Sequence, residues 1–431
     1  MGPAGTGVKG PAPVGAAKKA AFGLANNARL LRALFWPLRR FTPILVFGRR
    51  VIVTRHADVA EVLDRDTDFT VAEVNGAAMD RVNGPFILGM DRSPQYLRER
   101  SILERCVHED DADRIRSFVR SRAAELVEAA RPTGRIDVVG GLTRVVAIRL
   151  VGDYFGVPGP DEATAMRWMR TIFHETFLNV GSDPRVRQRG EASAAEFHAY
   201  ADELIARRRE ALDAGHDVPD DFVTRLVRLQ RHDDTRLADE GIRRNLGGVV
   251  VGAVDTTSKA ATHAVDQLLR RPRALAAARR AATEGDLDEV GRHVLEALRF
   301  NPINPVLSRH AARPTVLAQG TRRERCIRPG LGVYAAILPA MFDPAAFDRP
   351  GRFRTDRPAP PYLHFGHGLH TCYGRRVNAI QLPEVVAPLL RLPNLRRAPG
   401  EEGRISYDGP FPDRLVLEFD PVRQHGREVR R

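Results

Sequence analysis

The spacing of apolar positions divides the chain into a long helical middle flanked by stretches of strand character. Leu45-Val46-Phe47 and Val51-Ile52-Val53 are continuous apolar triplets and read as two short strands. In Ala57–Arg65 the apolar Val59, Val62 and Leu63 return at helical spacing and give that segment one core-facing side. From Ser93 to about Ala282 helical periodicity dominates, with breaks at Arg131-Pro132-Thr133-Gly134, Val157-Pro158-Gly159-Pro160 and Asp217-Val218-Pro219. The pattern predicts one long helix over Asp239–Arg270, interrupted near Gly247-Gly248 and Gly252. Between Arg309 and Val333 the apolar pieces shrink to β-prone pairs, Val316-Leu317 and Cys326-Ile327, separated by turns, so a small sheet is added late. Leu338–Tyr362 carries no period and is expected to be functional or pinned by side chains. The fold class is therefore mainly α with small β-sheets. No repeat and no internal shift of composition appears, so residues 25–421 are expected to form a single domain. A Gly/Pro/Ala-rich tail precedes it over 1–24, and a basic tail follows over 422–431.

Composition narrows the function classes. The 431 residues are 43% hydrophobic and 28% charged, enough for a large core. The formal charge is +13, but Lys9, Lys18, Lys19 and Lys259 are the only lysines, and dispersed arginine reads as base bias more than as a recognition surface. Only 6% of residues are aromatic, with no interleaving of rings and cations, which argues against nucleic acid as a partner. Cys106, Cys326 and Cys372 are odd in number and far apart, so a reducing, cytoplasmic setting is expected rather than a disulfide framework. No apolar run approaches the roughly 18 to 20 residues of a membrane span, so no transmembrane anchor is expected. Leu30–Trp36 mixes apolar and basic residues and is expected to pack the chain's entry onto the body.

The densest chemical signal is Phe365-Gly366-His367-Gly368-Leu369-His370-Thr371-Cys372-Tyr373-Gly374, ahead of a helical run to Leu390. Gly366, Gly368 and Gly374 would let the backbone take positive φ and approach a flat ligand, while the helix start favours a sulfur anion. A zinc site built from His364, His367, His370 and Cys372 is the competing reading, although the spacing is unlike that of a closed zinc module; a buried inert cysteine is another. Elsewhere, Gly252-Ala253-Val254-Asp255-Thr256-Thr257 places small residues and hydroxyls at a helix midpoint, where they can open a groove. Glu296 and Arg299, three apart, share one helix face amid apolar neighbours.

The cysteine loop resembles the haem-binding signature of the cytochrome P450 family, Phe-x-x-Gly-x-(His or Arg)-x-Cys-x-Gly, at every fixed position. The resemblance covers roughly Arg49–Asp420 and implies heme b (iron protoporphyrin IX) with Cys372 as its thiolate ligand. Phe365 would shield the sulfur, His370 would hydrogen-bond a propionate, and Gly368 and Gly374 would let the chain skirt the porphyrin. It further implies a proton relay through Asp255 and Thr256, propionate binding by Arg100 and Arg309, and by Tyr96 where the family has His. A buried network of Glu296, Arg299 and Arg352 would pin the structureless stretch. Departures are Gly252-Ala253 for Ala/Gly-Gly, Met341-Phe342 for Asn-Arg, and Asn378 and Gln381 for Ala and Glu.

A thiolate-bound haem favours O–O cleavage, so the implied activity is a soluble, bacterial-type monooxygenase that hydroxylates or epoxidises a small organic substrate. Electrons would come from a ferredoxin-type donor with its reductase, docking near Arg375 and Arg376. The alternative is a haem-thiolate enzyme that uses peroxide or rearranges hydroperoxides without a reductase. Val249, Gly252, Ala253 and Val306 are expected to wall the substrate, roofed by a Val71–Leu88 loop and the His174–Arg187 connection.

Overall fold

The computed structural model describes residues 23, 26–179, 181–232, 235–357 and 361–421; apart from Gly23, the expected tails over 1–24 and 422–431 lie outside the described residues. Helices make most of the body. The strands, in chain order, are β1 (Ile44–Phe47), β2 (Arg50–Val53), β3 (Phe69–Thr70), β4 (Arg135–Asp137), β5 (Leu307–Ala311), β6 (Thr315–Leu317), β7 (Arg325–Ile327), β8 (Gly332–Ala335), β9 (Arg396–Arg397), β10 (Ser406–Asp408), β11 (Phe411–Arg414) and β12 (Val416–Glu418). The largest sheet has the order β1-β2-β8-β5-β3, so the late strands join the two apolar triplets near the start of the chain. Within it β2 and β8 run parallel, Val51 beside Val333 and Val53 beside Ala335, all four fully buried.

The central helix Asp239–Leu269 runs through the main core and packs against helices Arg144–Asp153, Glu162–Leu178, Pro184–Asp213, Leu287–Phe300 and Arg375–Leu390. Asp239 and Glu240 in its first turn face the positive end of its dipole. The predicted interruption at its glycines is not found: the helix is continuous. Gly247 and Gly248 are close-packing positions instead. A Cβ at Gly248 would lie 2.4 Å from the Phe86 ring, and one at Gly247 would lie 2.3 Å from Asn83 Oδ1. The predicted breaks elsewhere hold. Gly134 closes the helix Asp111–Ala130 at φ +64, and Asp161 and Asp221 cap the helices that follow the other two.

The Val71–Leu88 roof is not a loop but is largely helical, with a wide turn over Ala72–Gly76 and the short helix Ala77–Val82. The Asp91 carboxylate accepts the Val71 and Ala72 N–H groups at 2.7 and 3.2 Å and so starts it, a contact invisible to periodicity over so few residues. The helix Ala28–Phe41 packs by one side only. Leu31 meets the Phe300, Leu338 and Phe342 cluster and Arg39 donates to Pro339 O, while Leu34, Trp36 and Phe41 stay exposed. Among the described residues no helix is long and apolar enough to cross a membrane.

Candidate active site

The cysteine loop is built by its own backbone. Cys372 N–H donates to Phe365 O at 2.8 Å, and the Thr371 hydroxyl donates to Gly368 O at 2.7 Å. Gly366 and Gly368 take φ +74 and +67, as expected. Gly374 does not: at φ −74 it caps the helix Arg375–Leu390, and its smallness matters because a Cβ would lie 3.3 Å from Asn378 Nδ2 and 3.9 Å from Cys372 Sγ. Gly368 also departs from expectation, since it presses against Leu63 O and Asp64 on the helix His56–Asp64 and does not line the cavity; Gly366 does.

That cavity, of about 1160 Å³, takes in Phe365, His370 and Cys372 from the loop, and Val249, Gly252, Ala253 and Thr256 from the central helix. Val306 lines it as well, so all four expected substrate-wall residues do. The accessible surface of Cys372 opens into this space, which disposes of an inert packed cysteine. Zinc is disfavoured too. Among the described residues no group of three or more His, Cys, Asp or Glu is arranged to hold a metal, and His364 Nε2 is spent on Leu295 O at 2.9 Å. Burial pushes the Cys372 thiol up, against the pull of the Gly374 N–H and the charges of Arg100 and Arg375; a metal cation on the sulfur would supply the missing counter-charge.

Cations and rings line one side of the cavity. Arg309 is 7% exposed; the one side-chain hydrogen bond found for it among the described residues goes from Nη1 to Ser308 O, and burial, opposed by Asp91, holds it down at about 10. Arg100 donates to Glu104 and to Thr371 O. Burial lowers His370 to about 4, so its ring is neutral, edge-on to Tyr96 at 5.4 Å. Tyr96 does not offer its proton to a carboxylate: its hydroxyl donates to Leu369 O at 2.7 Å and ties the helix Pro94–Glu104 to the cysteine loop. A sulfur at the floor, a flanking phenyl ring and an under-partnered buried arginine beside a second one fit an iron macrocycle bearing two carboxylates.

On the central helix the Thr256 hydroxyl faces the cavity and donates to Gly252 O at 2.6 Å, one turn back. A Cβ at Gly252 would touch nothing within 4 Å, so the helix presents open space there. Asp255 points elsewhere. Its carboxylate accepts from Arg144 Nε at 3.0 Å and from Arg170 Nε at 3.3 Å, outside the cavity lining. Thr257 donates to Asn378 Oδ1 at 3.0 Å, joining the central helix to the helix behind the cysteine.

Glu296 and Arg299 form the expected pair, both fully buried and 2.7 Å apart. Arg299 also donates to the carbonyls of Met341, Pro350 and Arg352, which pins the aperiodic stretch as predicted. The third partner differs. The Arg352 side chain is exposed and only its carbonyl takes part; Arg357 Nε lies 3.7 Å from Glu296, and the Tyr362 hydroxyl and Arg354 N–H donate to the same carboxylate. Sequence reasoning passed over Arg357, Tyr362 and Lys259, the last of which lines the cavity. As the one lysine beyond residue 19 it carried a signal. Arg375 and Arg376 are exposed, Arg376 at 3.9 Å from Glu109.

The family profile described as Cytochrome P450 matches residues 41–417. The mycinamicin IV hydroxylase/epoxidase of Micromonospora griseorubida is 30% identical over 358 residues, 80% of this chain and 82% of that protein. The cytochrome P450 monooxygenase PikC of Streptomyces venezuelae is 29% identical, over 78% of this chain and 76% of its own. Among solved structures, CalO2 superposes with a TM-score of 0.80 at 26% identity, covering 92% of this chain and 98% of its own.

Proposed function

Since the chain belongs to the cytochrome P450 family and is a haem-thiolate monooxygenase, we propose that Cys372 is the thiolate ligand of its haem b, with Arg100, Arg309 and His370 holding the propionates and Phe365 covering the sulfur. The observation that carries this reading is that Cys372, just ahead of the helix Arg375–Leu390, and Thr256, midway along the central helix, line one cavity that also holds the under-partnered Arg309. The haem, when bound, supplies the O2 chemistry that a protein side chain lacks.

What the chain contributes is aim, dryness and protons. Gly252 and Ala253 leave room on the central helix, and Thr256 Oγ is positioned to hand a proton into that room once it releases Gly252 O. Asp255 holds the next proton acceptor on the solvent side, where Arg170 is partly exposed. Breaking the Arg170 contact frees one carboxylate oxygen to take a proton from outside and turn it toward Thr256. Val249, Val306 and Phe86 keep water from the substrate wall. The substrate is a small organic molecule, hydroxylated or epoxidised. Exposed Arg375 and Arg376, directly after the cysteine loop, support an acidic ferredoxin-type donor docking there, in a cytoplasmic setting. A reductase-independent peroxide reaction is not favoured beside relatives named as hydroxylases and monooxygenases.

The test is spectroscopic. The reduced protein under CO should show a Soret band at roughly 450 nm, which Cys372→Ser abolishes. An unchanged band in the serine variant, or no such band in the native chain, overturns the assignment.

A further inference from the structure

One cation in the cavity has no counter-charge. Lys259 follows Thr256 by three residues on the central helix and lines the cavity together with Ala260 and His263. Its side chain is buried, at 4% exposure, and among the described residues its Nζ makes no hydrogen bond and no ion pair. What it meets is the Phe411 ring at the start of β11, 5.2 Å from Nζ to the centroid. A phenyl face attracts a cation more weakly than burial penalises it, so the ring alone does not offset the loss of water.

Nearby acids are committed elsewhere. Asp255 is bound by Arg144 and Arg170, Asp266 by Arg270 and Arg397, and Glu175, which also lines the cavity, by Arg81. His263 offers Lys259 no free acceptor: its Nδ1–H donates to Asn301 O, and its Nε2 accepts from the Tyr407 hydroxyl. Burial accordingly pulls the Lys259 ammonium down to about 7. An apolar side chain of similar length would pack there at less cost, so the position holds a charge whose partner is not part of the fold.

Resting on the haem-thiolate reading above, we propose that Lys259 anchors a carboxylate of the substrate, which is therefore a small organic acid held acid-end under Phe411. A carboxylate balances one ammonium, whereas a phosphate, carrying about −1.5 to −2, would bury an excess of charge. The surroundings, Phe173, Phe177 and Leu150, suit an apolar remainder. Three residues of helix separate Lys259 from Thr256 by about 4.5 Å along the axis, so the oxidised carbon lies several bonds from the acid.

The probe is a graded series of ω-(imidazol-1-yl)alkanoic acids and their primary amides, titrated into the haem-loaded full chain. The imidazole nitrogen binds the iron and red-shifts the Soret band, so each member reports its affinity whether or not its tail is held. At one chain length the acid should bind about tenfold or more tighter than the amide, equivalent to ~1.4 kcal/mol, and Lys259→Met should reduce that preference to within about twofold. Lys259→Gln serves as the second variant if the first loads poorly. Equal binding of acid and amide at every length, or a preference that survives both substitutions, overturns the proposal. Because the CO band is recorded on a probe-free portion of each preparation, its presence assigns such a failure to Lys259 alone, and its absence to the haem-thiolate reading.

Discussion

The Arg299 guanidinium and the Glu296 carboxylate face each other at 2.7 Å with neither side chain reaching solvent, and between them they gather five groups of the aperiodic stretch 341–362. A buried charge that loses its partner costs about 3 to 5 kcal/mol. Arg299→Ala and Glu296→Gln should therefore lower the yield of haem-loaded protein several-fold and shift urea unfolding by that order. The CO-band amplitude per mole of chain measures the first, and a denaturation midpoint the second. Normal loading in both variants would show that the stretch holds itself in place.

Thr256→Ala should leave the 450 nm band intact while product formation falls on the scale of general acid assistance, about 10²-fold or more. Reductant consumed without product would reveal the missing proton. Asp255→Asn should act in the same direction with an added loss of stability, because it weakens the contacts to Arg144 and Arg170. Undiminished coupling in Thr256→Ala would remove the hydroxyl from the proton path.

Gly248→Ala should destabilise by about 1 to 3 kcal/mol, the usual cost of overpacking, even though alanine is the better helix former. The new methyl group meets the Phe86 ring. In a Phe86→Ala background the same substitution should cost markedly less, and urea titration of the double-mutant cycle measures the difference. Additive losses would mean that the ring is not the obstacle.

The 296/299 pair and the helix breaks at 131–134, 157–160 and 217–219 rest on spacing within one helix or on local backbone chemistry, and the structure has them; of the cysteine loop, the positive φ at Gly366 and Gly368 is found, the one expected at Gly374 is not. Gly247 and Gly248 were misread as interruptions because a glycine required by a neighbour's ring looks, in one dimension, like a glycine that breaks a helix. Arg357 and Tyr362 reach Glu296 through tertiary folding of a segment with no period, which the sequence does not disclose; the resemblance pointed to Arg352 instead. Tyr96 stands where the resembled family has a propionate-binding His, and the Leu369 carbonyl that takes its hydroxyl instead lies 273 residues away in the chain.

Acid should weaken the fold through histidines held neutral. Burial lowers His364 to about 4 and His263 to about 3, with Leu295 O and Asn301 O accepting from their rings. In the unfolded chain these rings protonate near pH 6.5, so below that value the unfolded state binds protons that the folded state refuses. Stability is full above about pH 6.5 and declines as pH falls toward 4. His263→Asn should start less stable at pH 7 yet lose less between pH 7 and pH 5 than the native chain. Parallel slopes in the two proteins would contradict this.

The pairing of β2 with β8 joins Arg50–Val53 to Gly332–Ala335 across almost the entire helical body. During synthesis, the early hairpin leaves the ribosome long before the strand that completes it exists, and its apolar Val51 and Val53 wait without cover. Arg309 sits on β5, which seats itself on that same late strand. In the role proposed for Arg309, cofactor capture would wait for that strand: a product cut short of Gly332 could coil much of its helical bulk but would have no closed sheet on which to present this arginine.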